Sequence, residues 1–418
     1  IAESEANASA VFGCTTFYST EGSSLGIRAM LYLAMQCAAQ QGKRPVIAAA
    51  RNAHKAFLTA AVLLDFEILW LPAVPGDSYL HGAAAPEALA KLYETAKEKP
   101  TALYVTAPDY LGNTADISAC AAFCHAHDML LLCDNAHGAY LHFLRPSQHP
   151  VQQGADLCCD SAHKTLPVLT GGAYLHVSPE APDIFSREAE RALRLFASTS
   201  PSYLILQSLD RCNAWLSGEG PSELAQTAVM AEGLKSRLTA AGYDVLGMKS
   251  SHERNTDQSF EPLKITLAPK SRGYTGNSLH EALRSKGIEC EFSDPDYLVM
   301  MLSPATGKSG FQLLEKSLLS LPLLPPLRDR APVLPRAEAV LSPREALFAP
   351  CEEVPLSLCA GRVLAYPCVS CPPAVPILVC GERITESAVS CFRYYGHVDT
   401  LLCLAAQPHS SKNCSLSF

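Results

Sequence analysis

Short, wholly apolar segments alternate with helical segments over the first 134 residues, and this alternation restricts the fold more than any other feature. The helical segments are residues 24–41, 54–65, 86–99 and 117–128. The apolar segments are residues 45–49, 67–72, 101–108 and 129–134. Strands that are apolar on both faces are typical of a parallel sheet covered by helices on each side. The pattern predicts an α/β fold with a doubly wound, mostly parallel sheet, in which ligands bind beyond the carboxyl ends of the strands.

The pattern changes near residue 221, so the large domain is expected to span residues 1–220. A long amphipathic helix, then shorter strand and helix segments, predict a smaller α+β domain over residues 221–320. Residues 321–342 are rich in proline and are interpreted as a linker. Residues 343–418 are predicted to form a C-terminal α+β module.

Composition excludes several classes of protein. The net charge is −8 and no dense run of Lys or Arg occurs, which argues against a nucleic-acid surface. No uninterrupted apolar stretch reaches the ~18 residues of a membrane span, and the N-terminal residues lack the pattern of a secretory signal. The 17 cysteines are scattered through apolar runs, which favours buried reduced thiols and a cytoplasmic protein.

Two stretches place ionisable side chains where buried strands are predicted to end. Lys164 lies in the stretch DSAHK, and a lysine there is unfavourable unless it is paired or forms a Schiff base with an aldehyde. Ser161 and His163 flank it and could reach an anion. Asp134 ends another apolar strand, with His137 three residues further on. Burying a carboxylate at this position is energetically unfavourable unless a cation pairs with it, and a protonated ring nitrogen would be such a cation.

Two further stretches complete the pattern. Ser23 and Ser24 open a helix, where free N–H groups favour a phosphate, although an ordinary helix cap would look the same. His54 lies where a strand gives way to a helix, and it could stack on a flat ring or simply cap the helix. A phosphate loop, a ring stacker, a carboxylate and a Schiff-base lysine are the parts that a pyridoxal phosphate site needs.

Several of these stretches resemble one family. DSAHKTLPVLTGGAYLH, STSPSYLILQSLD, RNAHK, DNAHGA, GIECEFSD and PPAVPILVCGERIT are similar to segments of the ornithine/lysine/arginine decarboxylases, which have the aspartate-aminotransferase fold. The resemblance covers nearly the whole chain. It implies a pyridoxal phosphate-dependent enzyme that decarboxylates arginine, lysine or ornithine, and that assembles as a homodimer or a higher homo-oligomer.

The resemblance also implies roles for individual residues at the cofactor. Lys164 would hold the cofactor as a Schiff base, His54 would stack on its ring, and Asp134 would pair with the ring nitrogen. His137 would belong to the same site. The residues implied in phosphate binding are Ser23, Ser24, Ser161 and His163.

Three further residues are implied in contacts with a neighbouring subunit's cofactor or with the substrate. Thr199 would reach the phosphate of a neighbouring subunit. Glu291 and Asp294 are candidates for the distal cation of the substrate, although two solvated acids in a turn would have the same sequence. No metal site is expected, because the single Cys-x-x-Cys at residues 368–371 has no second pair.

The chain departs from the family pattern at four points, one of which is the stretch YPCVSCPPAVP, with extra residues in a segment that is more compact in the family. Glu21 stands where the family usually has Asn, and Asn135 replaces a common Glu. The family's upstream segment with a His-Met-Pro-Gly-His-Lys-like motif has no counterpart, so we expect this chain to be part of a longer enzyme. Two alternatives remain: another pyridoxal phosphate enzyme, such as an aminotransferase or a lyase, and a catalytically weak regulatory paralogue.

Overall fold

The computed structural model describes residues 1–72, 78–82, 84–248, 259–335, 337–396 and 398–405. Its helices are α1 Ala2–Phe12, α2 Ser23–Gln40, α3 Lys55–Leu64, α4 Pro86–Thr95, α5 Ile117–Ala126, α6 Ala162–Thr165, α7 Asp183–Phe196, α8 Tyr203–Leu216, α9 Gly220–Ala240, α10 Gly276–Arg284, α11 Gly307–Leu319, α12 Pro343–Phe348 and α13 Glu386–Tyr395. Its strands are β1 Thr15–Ser19, β2 Val46–Ala49, β3 Glu67–Trp70, β4 Ala102–Thr106, β5 Leu130–Asp134, β6 Leu157–Asp160, β7 Ala173–Val177, β8 Lys264–Leu267, β9 Phe292–Ser293, β10 Leu298–Met301, β11 Cys351–Pro355 and β12 Thr400–Leu404.

The largest sheet has seven strands in the order β1-β7-β6-β5-β4-β2-β3. The pairs from β3 to β6 are all parallel, whereas β7 runs antiparallel to both β6 and β1. This arrangement confirms the predicted doubly wound, mostly parallel sheet. The apolar pattern does not identify β1, because Thr15, Thr16 and Ser19 make that strand too polar.

Two hydrophobic clusters cover the two faces of this sheet. Leu103, Val105 and Leu131 belong to one cluster, and their chain neighbours Tyr104 and Leu132 belong to the other. Successive side chains of a strand point to opposite faces, so a central strand such as β4 or β5 needs apolar side chains on both faces to fill both clusters. The unbroken apolar segments of the sequence have this physical cause.

A smaller antiparallel sheet, β8-β10-β9, packs with α9, α10 and α11 around a separate core. Between residues 321 and 335 the described chain contains no helix or strand. The C-terminal part contains the pair β11-β12 with α12 and α13, and residues 406–418 of the predicted module lie outside the described residues. The domain boundaries drawn from the sequence remain predictions.

The C-terminal part shares a core with loops of the large sheet. Leu80 and Leu111 from those loops lie in one cluster with Leu378 and Phe392. Among the described helices, none is long and apolar enough to cross a membrane. The described cysteines are free thiols, and most of them are buried.

Candidate active site

Lys164 lies on the short helix α6, immediately after β6, at the carboxyl edge of the large sheet. Its Nζ lies 2.9 Å from Nε2 of His137. Helix α6 is held in place by His163, whose backbone N–H and Nδ1 both contact the carbonyl oxygen of Gly172. Burial lowers the pKa of Lys164, and the nearby charges of Asp134 and Glu291 act in the opposite direction. Lys164 is partly buried, and two carboxylates, Asp134 and Glu291, act on its amine.

Asp134 is the last residue of β5, the strand beside β6, and it is buried. Its Oδ2 accepts a hydrogen bond from the Tyr104 hydroxyl at 2.9 Å, and its Oδ1 accepts one from the Ala136 N–H at 3.2 Å. Burial raises the pKa of Asp134, and these hydrogen bonds and Lys164 partly offset the increase. The two groups that donate hydrogen bonds to the Asp134 carboxylate are both neutral. The carboxylate can therefore pair with a further, cationic group.

His54 is the N-cap of α3, and its Nδ1 accepts a hydrogen bond from the Ala56 N–H at 3.1 Å. Burial lowers the pKa of His54 to about 4, and the neighbouring Lys164 contributes to the shift. The helix-capping interpretation therefore holds, and the same ring lies beside Lys164 as a neutral imidazole. Its stacking on a cofactor remains a prediction.

The N-terminus of α2 has no side-chain cap, and Gly22 precedes it with a φ of 76°, a conformation that favours glycine. The Ser161 hydroxyl donates to the Ser23 hydroxyl at 2.6 Å, which joins this helix to the Lys164 segment. Ser24, the next residue of α2, is partly buried. Two hydroxyls and uncapped N–H groups at the start of a long helix are suited to a phosphate.

The segment that contains Thr199 meets the same loop within one chain. Thr199 itself is exposed, and the N–H of Ser198 donates to Oε1 of Glu21 at 2.7 Å. Glu21 is a residue at which the chain departs from the family, and here its carboxylate fixes the start of the Thr199 segment. A contact of Thr199 with a neighbouring subunit remains a prediction.

The two candidate substrate acids lie in different surroundings. Glu291 accepts a hydrogen bond from the Tyr110 hydroxyl at 2.9 Å and is close enough to raise the pKa of Lys164. Asp294 is buried in the turn between β9 and β10, where its Oδ1 accepts from the N–H groups of Asp296 and Tyr297, both at 2.7 Å. Burial raises the pKa of Asp294 to about 7. The structure thus brings Glu291 to Lys164 and gives Asp294 a turn-forming role.

Lys264 on β8 is a member of this site that the sequence analysis missed. Its Nζ lies 3.2 Å from Nδ1 of His137, on the opposite side of the ring from Lys164. A lysine inside the apolar strand segment LKITLA was the available signal, because a fully buried lysine needs specific partners. A cavity of about 650 Å³ also opens beside Lys164, and its lining includes Arg211, Trp215 and Ser303.

Two family models match the chain. Residues 1–246 match the major domain of Orn/Lys/Arg decarboxylase, and residues 332–401 match the C-terminal domain of Orn/Lys/Arg decarboxylase. The chain belongs to the Orn/Lys/Arg decarboxylase family. As a member of that family it is an amino-acid decarboxylase that acts on a basic amino acid.

Curated relatives agree with this assignment, and solved structures share the fold. The arginine decarboxylase of Bacillus subtilis is 29% identical over 90% of this chain and 76% of its own length. The arginine decarboxylase of Halalkalibacterium halodurans is 29% identical over 94% of this chain and 80% of its own length. The lysine decarboxylase of Francisella novicida has a similar fold, with a TM-score of 0.74 at 18% identity, covering 96% of this chain and 69% of its own. The constitutive lysine decarboxylase of E. coli has a TM-score of 0.73 at 18% identity. The match covers 97% of this chain and 72% of the E. coli chain.

Proposed function

We propose that this Orn/Lys/Arg decarboxylase uses pyridoxal phosphate carried by Lys164. The observation that supports it best is the placement of a partly buried lysine, Lys164, near a buried carboxylate, Asp134, at the ends of adjacent strands. The donor set fits the group: an amine for the aldehyde, a carboxylate for the ring nitrogen, and the Ser23 and Ser161 hydroxyls for the phosphate. When bound, pyridoxal phosphate supplies an electron sink for the electron pair left on the α-carbon.

The residues of the chain would then act as follows. Asp134 holds a proton on the ring nitrogen by staying ionised beside it, which favours negative charge developing at the α-carbon. His54, held neutral, packs on the ring face without adding a second positive charge. Decarboxylation breaks the bond to the carboxylate, releases CO2 and leaves the α-carbon to take up a proton. Nζ of Lys164 and Nε2 of His137, 2.9 Å apart, are the groups placed to deliver it.

We propose arginine as the first substrate to test, because the curated relatives cited above are named arginine decarboxylases. Glu291 is the acid proposed to bind the distal cation, because it lies near Lys164 and is only partly buried. A planar guanidinium can bind a carboxylate through two parallel hydrogen bonds, whereas an ammonium binds as a point charge.

The test is CO2 release from arginine, lysine and ornithine measured in parallel with the wild type and with Lys164→Ala. We expect one of the three to be decarboxylated and Lys164→Ala to abolish the reaction. Borohydride reduction of the wild type should attach a pyridoxyl group to the peptide that contains residues 160–172. A label on another lysine, or full activity in Lys164→Ala, would contradict the assignment.

We further propose a cytoplasmic homodimer. The buried free thiols support a reducing compartment. Tyr203 and Leu204, close in sequence to Thr199, are 79% and 68% exposed, as expected of side chains that another subunit covers. In sedimentation, Leu204→Ser should weaken the dimer, whereas Val229→Ser, at an apolar residue 74% exposed, should not. Equal effects of the two substitutions would argue against this interface.

A further inference from the structure

One imidazole, that of His137, lies between two lysine amines. Nε2 of His137 is 2.9 Å from Nζ of Lys164, and Nδ1 is 3.2 Å from Nζ of Lys264. His137 and Lys264 are both buried, and they come from different parts of the chain, the loop after β5 and strand β8. Water therefore does not mediate these contacts, and the protons must be distributed among the three side chains.

The distribution is restricted by hydrogen-bond chemistry. A neutral imidazole has one N–H donor and one acceptor nitrogen, so it cannot accept from ammonium groups on both sides. A protonated imidazole is disfavoured, because burial and the two lysines hold the pKa of His137 well below its usual range. One lysine must therefore donate to His137, and the other must accept from it as a neutral amine.

The surroundings of the two amines decide which lysine is charged. Nζ of Lys264 lies 3.3 Å from the carbonyl oxygen of Asp109 and 3.2 Å from that of Tyr110, in addition to Nδ1 of His137. These are three acceptors for the three N–H donors of an ammonium, and a carboxylate oxygen of Glu261 lies 3.9 Å away. Within the described part of the chain, His137 is the one hydrogen-bond partner of Lys164 Nζ. Lys264 is thus the better-stabilised cation.

We propose that Lys264 is a positioning residue that fixes the tautomer of His137, so that the Nε2–H of His137 donates to Lys164 and holds its Nζ as a neutral amine. A neutral amine is the form that attacks the aldehyde of the cofactor, so the inference rests on the proposed function of Lys164. Burial lowers the pKa of both lysines, and the acceptors around Lys264 offset the cost of its charge. Lys264 acts through His137 and has no contact with the reacting atoms in this arrangement.

The titration of Lys164 also responds to other groups around it. The charged or titratable groups that face it from the neighbouring elements are Asp134, Glu291, Cys371, His54, His163 and Lys264. The test must therefore compare variants that leave all of these groups in place except the one substituted.

The experiment measures the pH profile of Lys164 in the full chain freed of cofactor. Acetic anhydride labels neutral amines, and peptide mass spectrometry gives the labelling rate of Lys164 alone. In Lys264→Met we expect the midpoint of the Lys164 labelling profile to rise by about one pH unit, a shift that corresponds to the loss of about one hydrogen bond. Labelling of Lys164 at a pH below the midpoint should then be about tenfold slower. The matched control is Lys235→Met, since Lys235 is also buried and donates to the Glu261 and Pro262 carbonyls without contacting His137. An unchanged midpoint in Lys264→Met would overturn the proposal.

A double-mutant cycle separates the tautomer effect from the charge of Lys264. With His137→Phe already present, Lys264→Met should shift the midpoint far less than in the wild type. An equal shift in both backgrounds would mean that Lys264 acts by direct repulsion, and the proposal would be wrong. The borohydride test reports independently whether Lys164 carries the cofactor, so failure of that function is distinguishable from failure of this inference.

A measurement on the wild type covers the case in which Lys264→Met does not fold. In ¹⁵N-histidine NMR spectra of the cofactor-free chain, the signals lost in His137→Phe identify His137. We expect its Nε2 to have the shift of a protonated ring nitrogen and its Nδ1 that of an acceptor. The opposite tautomer, or an imidazolium, would overturn the proposal.

Discussion

The electrostatic state of Asp134 depends on what binds beside it. Alone, the carboxylate is buried, its hydrogen bonds come from neutral donors, and its pKa is raised mainly by burial. A cationic ring nitrogen would reverse that shift, because an opposite charge in a dry site stabilises the ionised form. His54, in contrast, is neutral and makes its hydrogen bond to its own helix.

We therefore expect Asp134→Asn to lower kcat on the order of 100- to 1,000-fold, the usual effect of removing one pre-organised electrostatic group. His54→Ala should mainly weaken cofactor retention, measured by equilibrium dialysis, with a smaller loss of kcat. Asp156→Asn is the control, because Asp156 is also buried but precedes β6, at the opposite end of that strand from Lys164. Equal kcat losses in Asp134→Asn and Asp156→Asn would contradict the role given to Asp134.

The residues at the site differ in how far the sequence could predict them. Lys164, Asp134 and His54 lie at or just after the ends of strands, so the local pattern could predict their position at one edge of the sheet, whereas their roles came from the family resemblance. Lys264 could not be placed, because it belongs to the second sheet and reaches His137 only through tertiary packing. Asp294 resembled a solvated acid in sequence, yet backbone N–H groups and burial make it part of a turn.

At the scale of elements, strands β6 and β7 are joined by a buried carboxylate as well as by backbone hydrogen bonds. Oδ2 of Asp160 lies 3.1 Å from Nε2 of both His149 and His176, and all three side chains are nearly inaccessible to solvent. Burial opposes charge on Asp160, but the two imidazoles hold its pKa well below its usual range. Asp160 in turn raises the pKa of His176 to about 10, although burial alone would lower it.

These shifts predict how stability depends on pH. The folded pKa of His176 lies above its ordinary value of 6.5, so its contribution is complete below about pH 6.5 and is lost as the pH rises towards 10. The folded pKa of Asp160 is lowered, so its contribution is present above about pH 4 and is lost in acid. The pair therefore stabilises the fold most between about pH 4 and 6.5.

Asp160→Asn should lower the free energy of unfolding by about 3 kcal/mol at pH 6, as expected when a buried pair is broken. Urea unfolding at pH 6, 8 and 9.5 should give a difference between wild type and variant that decreases as the pH rises. The control is Glu289→Gln, which removes an exposed carboxylate that pairs with both Arg284 and His280 and should show no comparable trend. A difference that is constant with pH would mean that His176 is not charged in the fold.

At the scale of the whole molecule, the C-terminal part is attached to the element that carries His54. Arg51, three residues before His54, forms two hydrogen bonds with the Glu382 carboxylate, at 2.7 and 3.0 Å. The N–H of Lys55 donates to the Ala374 carbonyl, and Arg344 donates to a carbonyl at the end of α3. Sequence similarity identified this module but not its docking, because contacts across some 330 residues leave no local pattern.

We expect the Arg51–Glu382 pair to couple the module to the start of α3. Glu382→Gln should lower the free energy of unfolding by about 2 kcal/mol, less than for a fully buried pair, because Arg51 keeps some contact with solvent. The matched control is Glu338→Gln, which breaks the exposed pair of Glu338 with Arg383 and should cost about 0.5 kcal/mol or less.

Hydrogen exchange locates the effect. In Glu382→Gln, the amides of α3 and of α13 should exchange faster together, because each element loses the contact that holds the other. Cofactor retention should fall as well, since His54 caps α3 beside Lys164. Faster exchange in α13 alone, with α3 and cofactor retention unchanged, would show that the C-terminal part contacts the large domain without stabilising α3 or the proposed cofactor site.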